Sequence, residues 1–234
     1  MTKRLLYAGI GVWLVFLLIF GIYKLMNSRT YQLFGELTSE VETNQKVVAL
    51  TFDDGPTENV DKLLPLLENH NVKATFFLIG EDIKKNPQEA EKLVKAGHQI
   101  GNHTYSHERM VFKKASYIRE EIEKTDELIK TVGYQGPIYF RPPNGKKLVG
   151  LPYVLNKENR ETVMWNIEPD SHFGTPSEKI KYAMENAKPG SIILMHPMYD
   201  DTGEELEAIE GIIKGLTEKG YSFVTVSELK KQTK

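Results

Sequence analysis

The chain contains no cysteine among its 234 residues. This absence excludes disulfide bonds, a cysteine nucleophile and any zinc or iron–sulfur site with cysteine ligands. The chain also lacks a basic excess: 30 Lys and Arg residues stand against 32 Asp and Glu residues, for a formal net charge of -2. No nucleic-acid partner is expected, because binding to a phosphate backbone requires positive charge.

Charged and amide side chains are absent from residues 5–23, close to the N-terminus. A helix of this length spans roughly 28 Å at about 1.5 Å per residue, which matches the hydrocarbon core of a bilayer. No small-residue cleavage site follows the segment, so the pattern favours an uncleaved signal anchor over residues 1–27. A removed signal peptide and a buried core helix are the alternatives.

Residues 28–45 are of mixed, polar composition and predict a stalk between this helix and a folded domain over residues 46–234. Basic residues flank the apolar segment on both sides, with Lys3 and Arg4 before it and Lys24 and Arg29 after it. The positive-inside rule therefore does not decide the orientation of the helix in the membrane.

Short apolar runs alternate with amphipathic helical stretches from Lys46 onward. Strands that alternate with helices form a parallel sheet with right-handed crossovers. The sequence therefore predicts an α/β fold, a closed and irregular barrel of about seven β/α units, preceded by one N-terminal transmembrane helix. The predicted strands lie at residues 47–52, 74–80, 98–102, 138–140, 162–165, 191–195 and 223–226.

Chemically reactive side chains follow most of the predicted strands at their carboxyl ends. In a parallel barrel these ends share one face, and that face is where active sites are built. We therefore expect the side chains to meet in one cleft, although each has a simple structural explanation when it is considered alone. The residues are Asp53, Asp54, His103, His107, Arg141, Asp170 and His196.

Two histidines four residues apart, His103 and His107, can reach a single ion if they lie on one helical turn. Asp54 adds a carboxylate, and two nitrogens with one oxygen are typical of a catalytic site that leaves positions for water or substrate. The neighbouring Asp53 points in another direction, so it can serve as a general base on water. Taken alone, the Asp-Asp-Gly-Pro run is also consistent with a turn or a helix cap.

Four motifs occur in a fixed order and together resemble one family. The sequence is similar to polysaccharide deacetylases with the NodB homology domain, carbohydrate esterase family 4, from about residue 46 to residue 229. The motifs are TFDDGP (Thr51–Pro56), HTYSH (His103–His107), RPPNG (Arg141–Gly145) and ILMH (Ile193–His196).

This resemblance implies a distorted (β/α)7 barrel that removes N-acetyl groups from N-acetylglucosamine polymers. It implies that Asp53 is the general base and that Arg141 orients it. His196 would be the general acid, and Asp170 is expected to tune it.

The resemblance also implies that Asp54, His103 and His107 are the protein ligands of a divalent metal. This set suits Zn²⁺ best, and Co²⁺, Ni²⁺ or Fe²⁺ would also fit it. Two histidines and one carboxylate are likewise found in non-haem iron oxygenases, but Asp53 and His196 would have no role in such an enzyme.

Four further residues are expected to contact the substrate. The resemblance implies that the backbone N–H of Asn144 stabilises an oxyanion and that Leu194 helps to form the pocket for the acetyl methyl group. Pro143 and Trp165 complete the set. Asn144 replaces an aromatic residue usual in the family, so an aromatic wall for the sugar is not expected at this position.

The sequence therefore predicts a membrane-anchored N-deacetylase whose catalytic domain lies outside the cell. Peptidoglycan is the expected substrate, and chitin oligomers and poly-N-acetylglucosamine remain open. The main alternative is a glycan-binding module of the same fold that has lost turnover.

Overall fold

The computed structural model of the chain describes residues 2–233. Its first helix, α1, covers Thr2–Asn27. An 18-residue window within Arg4–Asn27 has a mean hydropathy of 2.5 and is not buried, and among the described residues this is the one helix long and apolar enough to cross a membrane. A signal sequence can have the same length and apolar composition. Helix α1 is therefore a candidate membrane span.

Seven short strands and eight more α-helices follow within residues 2–233. The strands are β1 Leu37–Thr38, β2 Val47–Asp53, β3 Thr75–Leu78, β4 Gln99–Asn102, β5 Thr162–Val163, β6 Ile192–Met195 and β7 Ser222–Phe223. The helices are α2 Val60–Asn69, α3 Gly80–Lys85, α4 Pro87–Lys95, α5 Ala115–Thr131, α6 Gly150–Lys157, α7 Pro176–Asn186, α8 Glu204–Glu218 and α9 Val226–Lys230.

The strands form an irregular ring in which every strand pair is parallel. The main sheet has the order β4-β3-β2-β6, β1 pairs with β5, and β7 pairs with the start of β2. Bridges from Phe140 to Asn102 and to Thr162 join β4 to β5, and a bridge from Ile167 to Ile193 leads back to β6. This arrangement confirms the predicted α/β barrel.

The central strand β2 shows how the barrel places polar groups in its interior. Successive side chains of a strand point to opposite faces. Leu50 and Phe52 pack with the surrounding helices in the larger core, whereas Ala49 belongs to a second core that also contains Trp165. The alternation therefore directs Asp53, two residues beyond Thr51 on the same face, into the interior at the carboxyl end of the strand.

The segment 28–45 differs from the stalk that the sequence predicts. Within it, Leu37 and Thr38 form β1, and the backbone N–H of Val41 donates to the carbonyl of Gly190 at 2.9 Å. Gln32 and Val41 are buried. The segment is thus part of the folded unit, because its backbone completes the ladder beside β5.

Smaller differences concern the ends of elements. The predicted strand at 138–140 is reduced to the two bridges of Phe140, and the predicted strand at 223–226 ends at Phe223. The second strand stops early because the Thr225 side chain caps α9 and forms a capping box with Glu228. The short helix α3 was not predicted.

The contact between Val41 and Gly190 gives a test of this packing. Gly190 has a φ of +83°, and a Cβ atom there would lie 1.7 Å from the carbonyl oxygen of Val41. Gly203 has a similar φ of +86° with nothing within 4 Å. We expect Gly203→Ala to cost about 1–2 kcal/mol through its backbone conformation alone, and Gly190→Ala to cost clearly more.

Urea unfolding of the full chain in detergent measures both changes. Equal losses of unfolding free energy in the two variants would show that the 28–45 segment does not pack on the barrel as described.

Candidate active site

A cleft of about 370 Å³ opens at the carboxyl ends of the barrel strands. It brings together seven of the residues singled out in the sequence as catalytic, metal-binding or substrate-contacting, and adds three others that face the same space. A larger cavity of about 550 Å³ elsewhere is lined by none of the predicted site residues. The cleft is lined by Arg29, Asp53, Asp54, His103, His107, Asn144, Trp165, Glu168, Ser171 and His196.

Three of these side chains converge as a metal site requires. Oδ1 of Asp54 lies 3.3 Å from Nε2 of His107 and 3.7 Å from Nε2 of His103. One ligand atom from each of the three residues lies within 4.8 Å of the others. Oδ1 of Asp54 is buried and has no hydrogen-bond partner among the described residues. A divalent cation fits this set, because it would satisfy the orphaned oxygen and accept both imidazole nitrogens.

The two histidines lie on a loop and not on the helical turn that their spacing suggests. Thr104 has a φ of 69° and His107 a φ of 58°, both in the left-handed region, which a helix cannot contain. The Asn102 side chain accepts from the N–H of Thr104 at 2.8 Å, and the Thr104 hydroxyl accepts from the N–H of His107 at 3.1 Å. These bonds hold both rings on the site.

The ring of His103 is oriented by a backbone contact. Its Nδ1 lies 2.7 Å from the carbonyl oxygen of Arg141. Since a carbonyl only accepts, Nδ1 carries the proton and Nε2 presents its lone pair to the metal site.

Asp53 is held by a buried arginine. Nη1 of Arg141 donates to Oδ1 of Asp53 at 2.7 Å and to the Thr51 hydroxyl at 2.9 Å. The guanidinium also donates to two backbone carbonyls, and its carbon lies 4.0 Å from the ring centre of Phe77. Burial by itself raises the pKa of Asp53, but the charges of Arg141, His103 and His196 outweigh it and lower the pKa overall.

His196 forms a pair with Asp170. Its Nδ1 lies 2.8 Å from Oδ2 of Asp170, which also accepts from the His196 backbone N–H at 2.7 Å. Burial lowers the pKa of His196, but Asp170, with smaller contributions from Asp53 and Asp54, raises the pKa to about 9. When His196 is protonated, its Nε2–H can therefore donate a proton within the cleft.

A set of contacts around Glu168 on the cleft wall was not predicted from the sequence. Glu168 accepts from Nε1 of Trp165 at 2.8 Å, from the hydroxyl of Ser171 at 2.7 Å and from Nη2 of Arg29 at 2.5 Å. The guanidinium of Arg29 also lies over the Trp165 ring, 4.7 Å from its centre. Arg29 carries no recognisable signal in the sequence, since it lies in the predicted stalk, outside every motif.

Two of the four predicted substrate-contacting residues line the cleft, and the other two do not. Asn144 lines the cleft with a φ of 54°, and its side-chain oxygen accepts from Nε of Arg109 at 2.7 Å. Trp165 lines the cleft as well. Pro143 and Leu194 are buried and do not line it, because Leu194 lies within β6 and packs in the interior core.

The fold matches the (β/α)7 barrel of carbohydrate esterase family 4 structures. The family model for polysaccharide deacetylases matches residues 40–163. The chain is 36% identical over 189 residues to a peptidoglycan-N-acetylglucosamine deacetylase of Bacillus cereus, covering 80% of this chain and 69% of that protein. It is also 36% identical to a bifunctional xylanase/deacetylase of Pseudobutyrivibrio xylanivorans, of which it spans only 31%.

Solved structures agree with this assignment. A peptidoglycan N-acetylglucosamine deacetylase in complex with a hydroxamate-type benzamide has a TM-score of 0.79 at 33% identity, over 85% of this chain and 95% of that one. A CE4 family pseudoenzyme from Bacillus anthracis has a TM-score of 0.78 at 30% identity, over 86% and 71%. The chain therefore belongs to the polysaccharide deacetylase family.

Metal binding tests the assignment of the three ligands. We expect His103→Ala and Asp54→Ala to weaken Zn²⁺ binding by more than 100-fold, since changes to groups that merely support ligands already cost about 10–100-fold. Asp53→Asn should keep the metal, because Arg141 and not the cation holds that side chain. Zinc titration of the purified variants, with His70→Ala as a control outside the cleft, checks this expectation. Loss of zinc in Asp53→Asn would contradict it.

Proposed function

We propose that the chain is a metal-dependent hydrolase that removes N-acetyl groups from N-acetylglucosamine residues of an extracellular polymer, with peptidoglycan as the substrate. The observation that carries this proposal is that two adjacent carboxylates, Asp53 and Asp54, have different partners. Asp53 is paired with Arg141, whereas Asp54 faces two histidines with an unsatisfied oxygen. A base and a metal ligand are thus presented side by side in one cleft.

A divalent cation held by Asp54, His103 and His107 would polarise the amide carbonyl and make the attacking water more acidic. Asp53 takes the proton from that water. Its lowered pKa keeps it ionised near neutral pH, and Arg141 fixes the carboxylate in the orientation needed to accept the proton.

His196 supplies the proton that the leaving nitrogen requires. An amine is a poor leaving group until it is protonated, and an imidazolium can donate near neutral pH. Asp170 holds the ring by Nδ1 and stabilises its protonated form. Asn144 lines the same cleft, and its backbone N–H would stabilise negative charge on the carbonyl oxygen.

The substrate is inferred from the relatives. The similar proteins include deacetylases named for peptidoglycan N-acetylglucosamine and for peptidoglycan N-acetylmuramic acid. An apolar N-terminal helix suits an enzyme that is kept at the cell membrane with its catalytic domain outside, where such polymers lie.

A second candidate function is glycan binding without turnover. The pseudoenzyme among the similar structures shows that this fold exists without activity. In this chain, however, the base, the acid and all three metal ligands line one cleft. An iron oxygenase is less well supported, because the pairs Arg141–Asp53 and Asp170–His196 would then serve no purpose.

Acetate release tests the reaction directly. The full chain in detergent should release acetate from N-acetylglucosamine oligomers and from purified peptidoglycan, and a chelator should abolish the release. Asp53→Asn should reduce the rate by about 10²–10⁴-fold, the usual contribution of a general base. No acetate from any substrate, despite bound metal, would support the binding module.

The pH dependence of turnover tests the pair of His196 and Asp170. His196 must carry its proton to act as the acid, so activity should fall as the pH rises through its pKa. Because Asp170 raises that pKa, Asp170→Asn should move the alkaline limb of the kcat profile to lower pH. An alkaline limb that does not move would exclude His196 as the titrating acid in this range.

A further inference from the structure

The segment that leaves α1 runs directly into the active-site cleft. Helix α1 ends at Asn27, and Arg29 already lines the cleft beside Trp165 and Glu168. The backbone N–H of Lys147 donates to the carbonyl of Met26 at 3.2 Å, which fixes the last turn of α1 to the domain.

This connection limits how far the cleft can lie from a membrane that α1 crosses. Lys24 is the first charged residue after the apolar stretch and marks the end of the span. Three helical steps and two extended ones separate it from Arg29, so the two Cα atoms are at most about 12 Å apart. The cleft of a membrane-anchored chain therefore lies next to the headgroup layer.

An exposed apolar patch lies on the same part of the domain. Outside α1, the described chain exposes seven large hydrophobic side chains, and five of them occur in the segment after α1 or at the start of α6. We call these five the juxtamembrane patch. They are Tyr31 (57% exposed), Leu33 (41%), Phe34 (39%), Val149 (47%) and Tyr153 (41%).

Local contacts turn the patch outward and join its two parts. Gln32 is buried, and its Nε2 donates to the carbonyls of Phe34 at 2.8 Å and Glu36 at 3.0 Å, so its neighbours face solvent. The rings of Phe34 and Tyr153 meet edge to face, 5.8 Å between centres. The patch is thus built by the fold and is not a frayed chain end.

We propose that the juxtamembrane patch rests in the interfacial layer of the bilayer and holds the cleft at the membrane surface. The patch begins four residues after the end of α1, and aromatic and aliphatic side chains of this kind favour the interface. The substrate class follows if the proposed function holds: the enzyme acts on amino-sugar chains attached to or lying on the membrane, in preference to distant polymer.

The chain offers a built-in reporter for this geometry. It has two tryptophans, Trp13 in α1 and Trp165 in the cleft. In a Trp13→Phe background, energy transfer from Trp165 to dansyl-labelled lipid headgroups in proteoliposomes reports how close the cleft lies to the bilayer. This readout does not depend on enzymatic activity.

A spacer separates the effect of the patch from that of the tether. Some 20 Gly and Ser residues inserted after Lys24 add roughly 25 Å of flexible reach. The spacer chain should retain most of the energy transfer, because the patch still rests on the bilayer. Leu33→Asp in the spacer chain should remove at least half of it. Thr217→Asp is the matched control, because Thr217 is exposed near the end of α8 and does not belong to the juxtamembrane patch.

The same vesicles test the substrate class. Leu33→Asp in the spacer chain should slow acetate release from lipid-attached N-acetylglucosamine oligomers about five-fold, through the lower effective concentration, and leave soluble oligomers unaffected. The proposal would be overturned if the spacer abolished the energy transfer while Leu33 was unchanged. It would also be overturned if Leu33→Asp had no effect in the spacer chain. No acetate from either substrate would refute the proposed function instead, and the energy transfer would still decide the membrane contact.

Discussion

The buried ion pair between Arg141 and Asp53 is the contact on which the rest of the site depends. A guanidinium without exposed surface is costly unless its donors are satisfied, and here two carbonyls, the Thr51 hydroxyl and Asp53 accept from four of the five N–H groups. The backbone carbonyl of the same arginine orients His103. Arg141 thus keeps Asp53 ionised and orients the ring of His103, while Oδ1 of Asp54 has no hydrogen-bond partner among the described residues.

The barrel and most of the site could be predicted from the sequence. Parallel strands are buried on both faces and leave continuous apolar runs, and their carboxyl ends meet on one face, so Asp53, His103 and His196 could be placed together. Spacing alone could not show that the two histidines lie on a loop, because their orientation depends on positive φ values. Nor could it place Arg29, since long-range contacts with Glu168 and Trp165 leave no local pattern.

The segment between α1 and the barrel connects the candidate membrane helix to the active-site cleft. It supplies β1 to the sheet, Arg29 to the cleft wall and three side chains to the exposed patch. The sequence of such a segment is polar enough to suggest a linker, but its buried Gln32 and its strand pairing tie it to the domain. In an anchored chain this arrangement couples the position of the active site to the bilayer.

The separate roles of the adjacent carboxylates Asp53 and Asp54 are central to the site. Crystals of the zinc-loaded chain, with diffraction data collected at the zinc absorption edge, measure this most directly. We predict one anomalous peak within bonding distance of Asp54, His103 and His107, with Asp53 still paired to Arg141 and outside the coordination sphere. A peak coordinated by Asp53, or a zinc ion bound away from the two histidines, would contradict the account.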